Sequence, residues 1–283
     1  MLRADVIDLS VKLALREDVG LKDITTSAII PNGKHIHAEI EANEDGVLCG
    51  IEIAERVFRR VDENLRFLPV AKDGEAMEKG REIAYIDGSA ASILIAERTA
   101  LNFLGHLSGI ATRTRRYVEK IKGTNAKIYD TRKTTPNMRL LEKYAVRMGG
   151  GMNHRIGLYD QVLVKDNHLR ILKDRAIPDI LSDVKKTIQK KTLVGVEVRN
   201  LKELAEALKG KPDYILLDNM EIKTVREAVE MRQKAASKIL FEVSGGVNLE
   251  SVRAYAETGV ERISIGALTH SAPSLDISLD IVG

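Results

Sequence analysis

The chain is poor in cysteine and aromatic residues and has no long apolar run. Cys49 is its one cysteine, so no intrachain disulfide and no cysteine-built metal site can form. A lone thiol fits a reducing compartment, and the expected location is the cytoplasm. Tryptophan is absent, and aromatic residues make up 4% of 283 positions. Basic residues without interleaved aromatics do not make a stacking platform for nucleic acid. A net charge of +3 is likewise too small for a general nucleic-acid binder. No window approaches the ~18 apolar residues of a membrane span. Acids fall early in MLRADVIDLSVKLALRED, which argues against a secretory signal. With 44% hydrophobic and 30% charged residues, the composition is that of a soluble globular protein of one large or two ordinary domains.

In residues 5–18, Ile7, Val11 and Leu15 lie on one side and Asp8, Lys12 and Arg16 on another, which predicts an amphipathic helix. Residues 20–31 read as a loop in which Thr25 and Thr26 bond locally. HIHAEIE at 35–41 alternates and predicts a strand. His35 and His37 share its polar face with no third metal ligand near, so they read as exposed strand histidines. Further strands are expected at 47–50, 65–70 and 82–87, with a helix at 51–61. Together these form a small α+β unit, open-sandwich-like, expected over 1–108 and rejoined by 271–283. Residues 92–122 read as long helical sequence, broken at Ser108–Gly109. Arg98 lies within it and, on sequence alone, reads as solvated or paired with an acid.

From residue 126 short apolar strands alternate with helical stretches. Strands are expected at 126–129, 161–164, 193–198, 214–217, 239–243 and 262–265. Helices are expected at 137–148, 177–189, 201–208, 222–236 and 249–258. Repeated βα units imply a parallel sheet covered by helices. Nearly every strand ends on chemistry: Asp130, Arg132 and Lys133 after the first, Lys165 after the second, Glu197 and Asp218 at the third and fourth, Ser244–Gly246 and Gly266 at the last two. The carboxyl ends of parallel strands form the active face, and in a ring they converge on one mouth. The pattern therefore suits an incomplete α/β barrel of about six parallel strands over 109–270 better than an open doubly wound row.

Residues 130–168 hold seven Lys or Arg (Arg132, Lys133, Arg139, Lys143, Arg147, Arg155, Lys165) against four acids. These bases cluster at turns and strand ends, beside glycines that allow a close backbone approach. That is the composition of a pocket for a small, multiply anionic molecule. Backbone N–H groups in the SGG turn can cradle a phosphate. Glu197 and Asp218, on adjacent strands, could share Mg²⁺, which prefers carboxylate, water and phosphate oxygens. A cradle, an acid pair and a basic pocket together point to a phosphorylated sugar, a metal-bound pyrophosphate and an anionic co-substrate.

DTRKTTPNMRLLEKYAV, GGGMNHRIGLYDQVLVKDNH, VEV, ILLDN, SGG and IGALTHS, with AERTALNFLGHLSGIAT and REDVGLKDITT upstream, resemble quinolinate phosphoribosyltransferase over essentially the full length. Asn137 stands where that family commonly has Gly, and Asn also tolerates the left-handed conformation. The resemblance implies transfer of phosphoribosyl from phosphoribosyl pyrophosphate to quinolinate, with loss of CO₂ and pyrophosphate. It implies a quinolinate pocket of Arg132, His154, Arg155 and Lys165, completed by Arg98 from the partner subunit of a homodimer, with Thr131 among the substrate-binding residues. It places Lys133 and His270 at the pyrophosphate, and Glu197 and Asp218 at Mg²⁺ and the ribose hydroxyls. Ser244, Gly245, Gly246, Ile265, Gly266 and Ala267 then hold the 5-phosphate. Lys133, Lys165, Glu197 and Asp218 are the residues expected to carry catalysis.

Overall fold

In the computed structural model, which describes residues 3–282, the chain opens with helix α1 (Ala4–Val19), whose Ile7 and Val11 are buried. The stretch expected as a loop contains a short helix instead, α2 (Ile24–Ile29). Its cause is local: the Asp23 carboxylate accepts from the N–H groups of Thr25 and Thr26, an N-cap that outweighs the loop-like composition. Then follow β1 (His35–Ala42), β2 (Gly46–Val47), α3 (Ile51–Val61), β3 (Arg66–Pro69), β4 (Ala76–Met77) and β5 (Glu82–Ser89). The long helix α4 spans Ala90–Lys120. Beyond it come β6 (Lys127–Tyr129), α5 (Arg139–Met148), β7 (Val162–Val164), α6 (Asp166–Ile171), α7 (Ile177–Thr187), β8 (Val194–Val198), α8 (Leu201–Gly210) and β9 (Tyr214–Asp218). The chain closes with α9 (Ile222–Lys234), β10 (Leu240–Ser244), α10 (Val252–Ala256), β11 (Arg262–Ser264), α11 (Ala267–His270) and β12 (Ile277–Val282).

Two compact units divide the chain. One comprises residues 1–115, 134–150 and 267–283; the other comprises 116–133 and 151–266. Helix α5 and the 267–270 segment, expected with the barrel, group with the N-terminal part. In that first unit a four-stranded sheet runs in the order β12-β1-β5-β3. β12 lies antiparallel to β1, with Ala38 opposite Ile281 and Ile40 opposite Leu279.

Helix α4 is continuous through Ser108–Gly109, where a break was expected. Both residues serve packing. The Ser108 Oγ accepts from the Cys49 N–H at 2.9 Å. At Gly109 a Cβ would sit 1.9 Å from the Pro273 carbonyl oxygen, so the missing side chain lets the 273–274 backbone cross the helix. Gly109→Ala gains ~1 kcal/mol of helix propensity but forces backbone apart, which costs about 3 kcal/mol. The clash wins, and the variant is expected to unfold at a clearly lower denaturant concentration with an unchanged m-value.

The second unit is a six-stranded, all-parallel sheet in the order β6-β11-β10-β9-β8-β7. Its strands are short and apolar because both faces are covered: all five residues of β8 are buried, as are four of the five in β9. At the β6 edge, Met152 forms a parallel bridge with Tyr129. The chain from Met152 to Gln161 therefore links one edge strand to the other, where β7 begins. No helix among the described residues is long and apolar enough to cross a membrane.

Candidate active site

A cavity of about 530 Å³ opens at the carboxyl ends of the six parallel strands, and every one of them contributes to its wall. Thr131, Arg132 and Lys133 follow β6, and Leu163 and Lys165 come from β7 and its end. Glu197 comes from β8, Asp218 from β9, Glu242 and Ser244 from β10, and Ser264 from β11. Only a sheet curled into a ring brings both edge strands to one cavity, which settles the barrel against the open row.

His154 and Arg155 reach the same cavity from the link after Met152. The Asp130 carboxylate, buried at the end of β6, accepts from the His154 N–H at 2.8 Å and from the Asn153 side-chain amide at 2.6 Å. The Arg155 N–H donates to His154 Nδ1 at 2.8 Å. Arg155 is only 6% exposed, and its guanidinium reaches the Gln161 carbonyl at 3.4 Å. Burial, and next the nearby Arg132, pull its pKa below the usual arginine value. The Nε of Arg132 is buried with no hydrogen-bond partner among the described residues. Two arginines thus repel each other across a cavity, one of them with an unmet donor. A bound anion relieves both costs.

The acids lie on the next two strands. The Lys165 Nζ is 3.0 Å from a Glu197 carboxylate oxygen, with Glu197 5% exposed. Asp218 has the Arg199 Nε at 3.7 Å, while an Arg199 Nη holds Asp166 at 2.7 Å. Among the described residues no group of three or more His, Cys, Asp or Glu side chains could hold a metal ion. Mg²⁺ usually takes only one or two carboxylates and fills its remaining positions with phosphate and water oxygens. Glu197 and Asp218 therefore fit an ion delivered with a diphosphate, and do not make an all-protein cage.

At the end of β10, Gly245 and Gly246 adopt φ of 95° and 66°. A glycine turn of this kind can present backbone N–H groups to an anion. Side chains are excluded there: a Cβ on Gly245 would lie 2.2 Å from the Asn219 Oδ1. Asn219, itself left-handed at φ 52°, donates its N–H to the Ser244 carbonyl at 2.8 Å and braces the turn. Asn137 also takes the left-handed conformation, at φ 65°.

Some expected residues stand elsewhere. The Ile265 N–H is spent on the Tyr129 carbonyl at 2.9 Å within the sheet, so it cannot also donate to a phosphate. Ile265, Gly266, Ala267 and His270 are absent from the cavity wall, and Ser264 stands there instead. Ala267, His270 and Arg98 belong to the first unit. His270 Nδ1 pairs with the Ser271 Oγ at 2.6 Å. The Arg98 side chain is 65% exposed, with Glu97 at 4.0 Å.

The structure also adds residues that sequence reasoning missed. Glu242 lines the cavity and is fully buried. A carboxylate between Phe241 and Val243 in a strand covered on both faces is itself a signal, because such a charge is kept only for a purpose. Tyr214 is buried beneath, its phenol pushed well above the usual value by burial first and Glu242 second, so it stays neutral. Arg199 gave no periodic signal, and Asp130, legible at the end of the first strand, gave no sign that it braces His154.

Two family models match the chain in order. The Quinolinate phosphoribosyl transferase N-terminal domain covers residues 23–108, and the C-terminal domain of the same family covers residues 110–280. The chain is 42% identical over 276 residues to a nicotinate-nucleotide pyrophosphorylase [carboxylating] of Mycobacterium leprae, covering 96% of each. It is 43% identical over 268 residues to a probable nicotinate-nucleotide pyrophosphorylase [carboxylating] of Bacillus subtilis, covering 94% of this chain and 90% of that one. Among solved structures, NadC from Streptococcus pyogenes superimposes with a TM-score of 0.93 at 38% identity, over 100% of this chain and 99% of that one. The nicotinate-nucleotide pyrophosphorylase of Francisella tularensis gives 0.92 at 37%, over 100% and 98%. With both halves matched in order, and the likeness running through the strand ends that build the cavity, the chain belongs to the quinolinate phosphoribosyl transferase family.

Proposed function

We propose that this chain joins the ring nitrogen of quinolinate to C1 of phosphoribosyl pyrophosphate, releasing pyrophosphate and CO₂ and leaving nicotinate mononucleotide. The observation that carries this reading is the mutually repelling pair of Arg155, which is buried, and Arg132, whose Nε is buried without a partner among the described residues, in a cavity that also holds a glycine turn and two carboxylates. Quinolinate brings two adjacent carboxylates on a flat ring, and planar guanidinium forks match them two bonds at a time. The glycine turn at Ser244–Gly246 suits the 5-phosphate. Glu197 and Asp218 accept from the ribose hydroxyls and would hold Mg²⁺.

Catalysis here is placement and field. Lys133 faces the departing diphosphate and stabilises its charge, and Mg²⁺ when bound spreads that charge further. Lys165, held by Glu197 at 3.0 Å, stands between the two substrates. Holding the nitrogen in line with C1 is worth several kcal/mol. Once alkylated, the ring nitrogen is cationic and stabilises the electron pair that stays on the adjacent carbon as CO₂ departs; a proton from solvent then forms the new C–H bond, so decarboxylation needs no further cofactor. The working form is a homodimer in which Arg98 completes the partner's pocket, and the buried lone thiol Cys49 suits a reducing cytoplasm.

Purified protein with quinolinate, phosphoribosyl pyrophosphate and Mg²⁺ is expected to release CO₂ and pyrophosphate in equal amounts. Chelation of Mg²⁺ should abolish turnover, and re-addition should restore it. Pyrophosphate release with nicotinate but none with quinolinate would overturn the reading in favour of another base.

A further inference from the structure

Glu242 is out of place in a cavity for anions. It is fully buried, and one carboxylate oxygen, Oε2, has no hydrogen bond among the described residues. The nearest cation to that oxygen is an Arg262 Nη at 4.0 Å. Such a carboxylate is costly to fold and opposes an incoming dianion. Its other oxygen is well used. Oε1 accepts from the Ser264 Oγ at 2.5 Å and lies 3.3 Å from His154 Nε2.

The proton on His154 can be placed. Nδ1 has one in-plane lone pair, and it accepts the Arg155 N–H. A neutral imidazole that accepts at Nδ1 must carry its proton on Nε2. That nitrogen lies 3.3 Å from Glu242 Oε1, close enough for the carboxylate to attract its proton without a formed hydrogen bond. The ring is 8% exposed and sits edge-on to Tyr214, with centroids 5.8 Å apart at 76°. The backbone of the same residue is held by Asp130. His154 is therefore fixed at its chain and at Nδ1, while Nε2 stands 3.3 Å from the Glu242 carboxylate, outside hydrogen-bond geometry. The bond at Nδ1 is made by the N–H of Arg155, so the ring position sets where the Arg155 backbone starts.

We infer that Glu242 is a positioning residue: it seats the His154 ring as the Nε2–H tautomer and thereby aims Arg155 into the cavity. The inference rests on the proposed function for the identity of the ligand, not for the geometry. Glutamine in place of Glu242 can keep an oxygen where Oε1 stands and serve both Ser264 and His154. Methionine keeps the volume and removes the acceptor.

The experiment combines imidazole NMR on ligand-free, ¹⁵N-histidine-labelled protein with steady-state kinetics. In the unaltered protein His154 is expected to show an Nε2–H proton that exchanges slowly and resonates downfield. Glu242→Gln should keep that proton visible but shift it upfield, because a neutral carbonyl is a weaker acceptor. The KM for quinolinate should then stay within about threefold. Glu242→Met should lose the proton to exchange and raise the quinolinate KM about tenfold or more, with the KM for phosphoribosyl pyrophosphate nearly unchanged. A folded Glu242→Met variant with the His154 signal intact, or with an unchanged quinolinate KM, overturns the inference. Should the Met variant not fold, a resonance unmoved in Glu242→Gln does the same. Should quinolinate prove not to be the substrate, the ligand-free spectrum still decides the Glu242–His154 pair.

Discussion

Arg155→Lys is expected to lower kcat/KM for quinolinate about a hundredfold or more, a loss of ~3 kcal/mol. The substitution keeps the charge, so charge alone does not explain the size of the effect. What is lost is the planar fork, which binds a carboxylate with two parallel bonds, while a lysine ammonium is a compact and strongly hydrated point. The partner carboxylate would then be desolvated in the cavity without its full set of donors, which is the expensive outcome. The KM for phosphoribosyl pyrophosphate should change little, since the proposed role of Arg155 is to hold the quinolinate carboxylates. Arg155→Gln supplies the stability arm. Burial and Arg132 both disfavour the Arg155 charge in the folded chain, so removing it should leave the melting temperature unchanged or raised while activity disappears. Loss of activity with a clearly lower melting temperature would mean that Arg155 works as scaffold, and the carboxylate pocket would have to be sought elsewhere.

The second large effect is a recovery. Arg98→Ala and Lys165→Ala should each be nearly inactive, yet a mixture allowed to exchange subunits should regain roughly a quarter of wild-type activity. Random exchange makes half of the dimers mixed. Each mixed dimer has one site carrying both defects and one carrying neither. The physical ground is the exposure of Arg98: a 65% exposed guanidinium, with its acid neighbour only at 4.0 Å, is available to complete another chain's pocket. Lys165 sits in the cavity itself, 3.0 Å from Glu197. Mixed dimers that stay inactive, made from singly altered chains that fold normally, would remove Arg98 from the site.

The parts legible in the sequence were those written in a period or a residue type. Six apolar runs spaced by helical stretches read directly as parallel strands, and the polar residues at their ends marked the mouth. Glu197 and Asp218 were visible because acids closing a valine- or leucine-rich strand have few other reasons to be there. Elements set by a single hydrogen bond or contact were not legible. Helix α2 depends on the Asp23 cap, and the continuity of α4 at Gly109 depends on a carbonyl at residue 273, far along the chain. Glu242 was passed over because a strand reading sorts residues by alternation and does not weigh a charge that ends up inside. The resemblance places Ile265 at the phosphate, and sequence does not reveal that the sheet has already claimed its N–H.

The pairing of β12 with β1 has a consequence for how the protein is made. Residue 282 must leave the ribosome before the strand at 35–42 gains its outer neighbour. Until then, that strand is a bare border offering unmatched amides and carbonyls to any other extended chain. Chains that have not yet presented residues 277–282 are therefore the aggregation hazard of this protein, and that strand acts as the clasp that removes it.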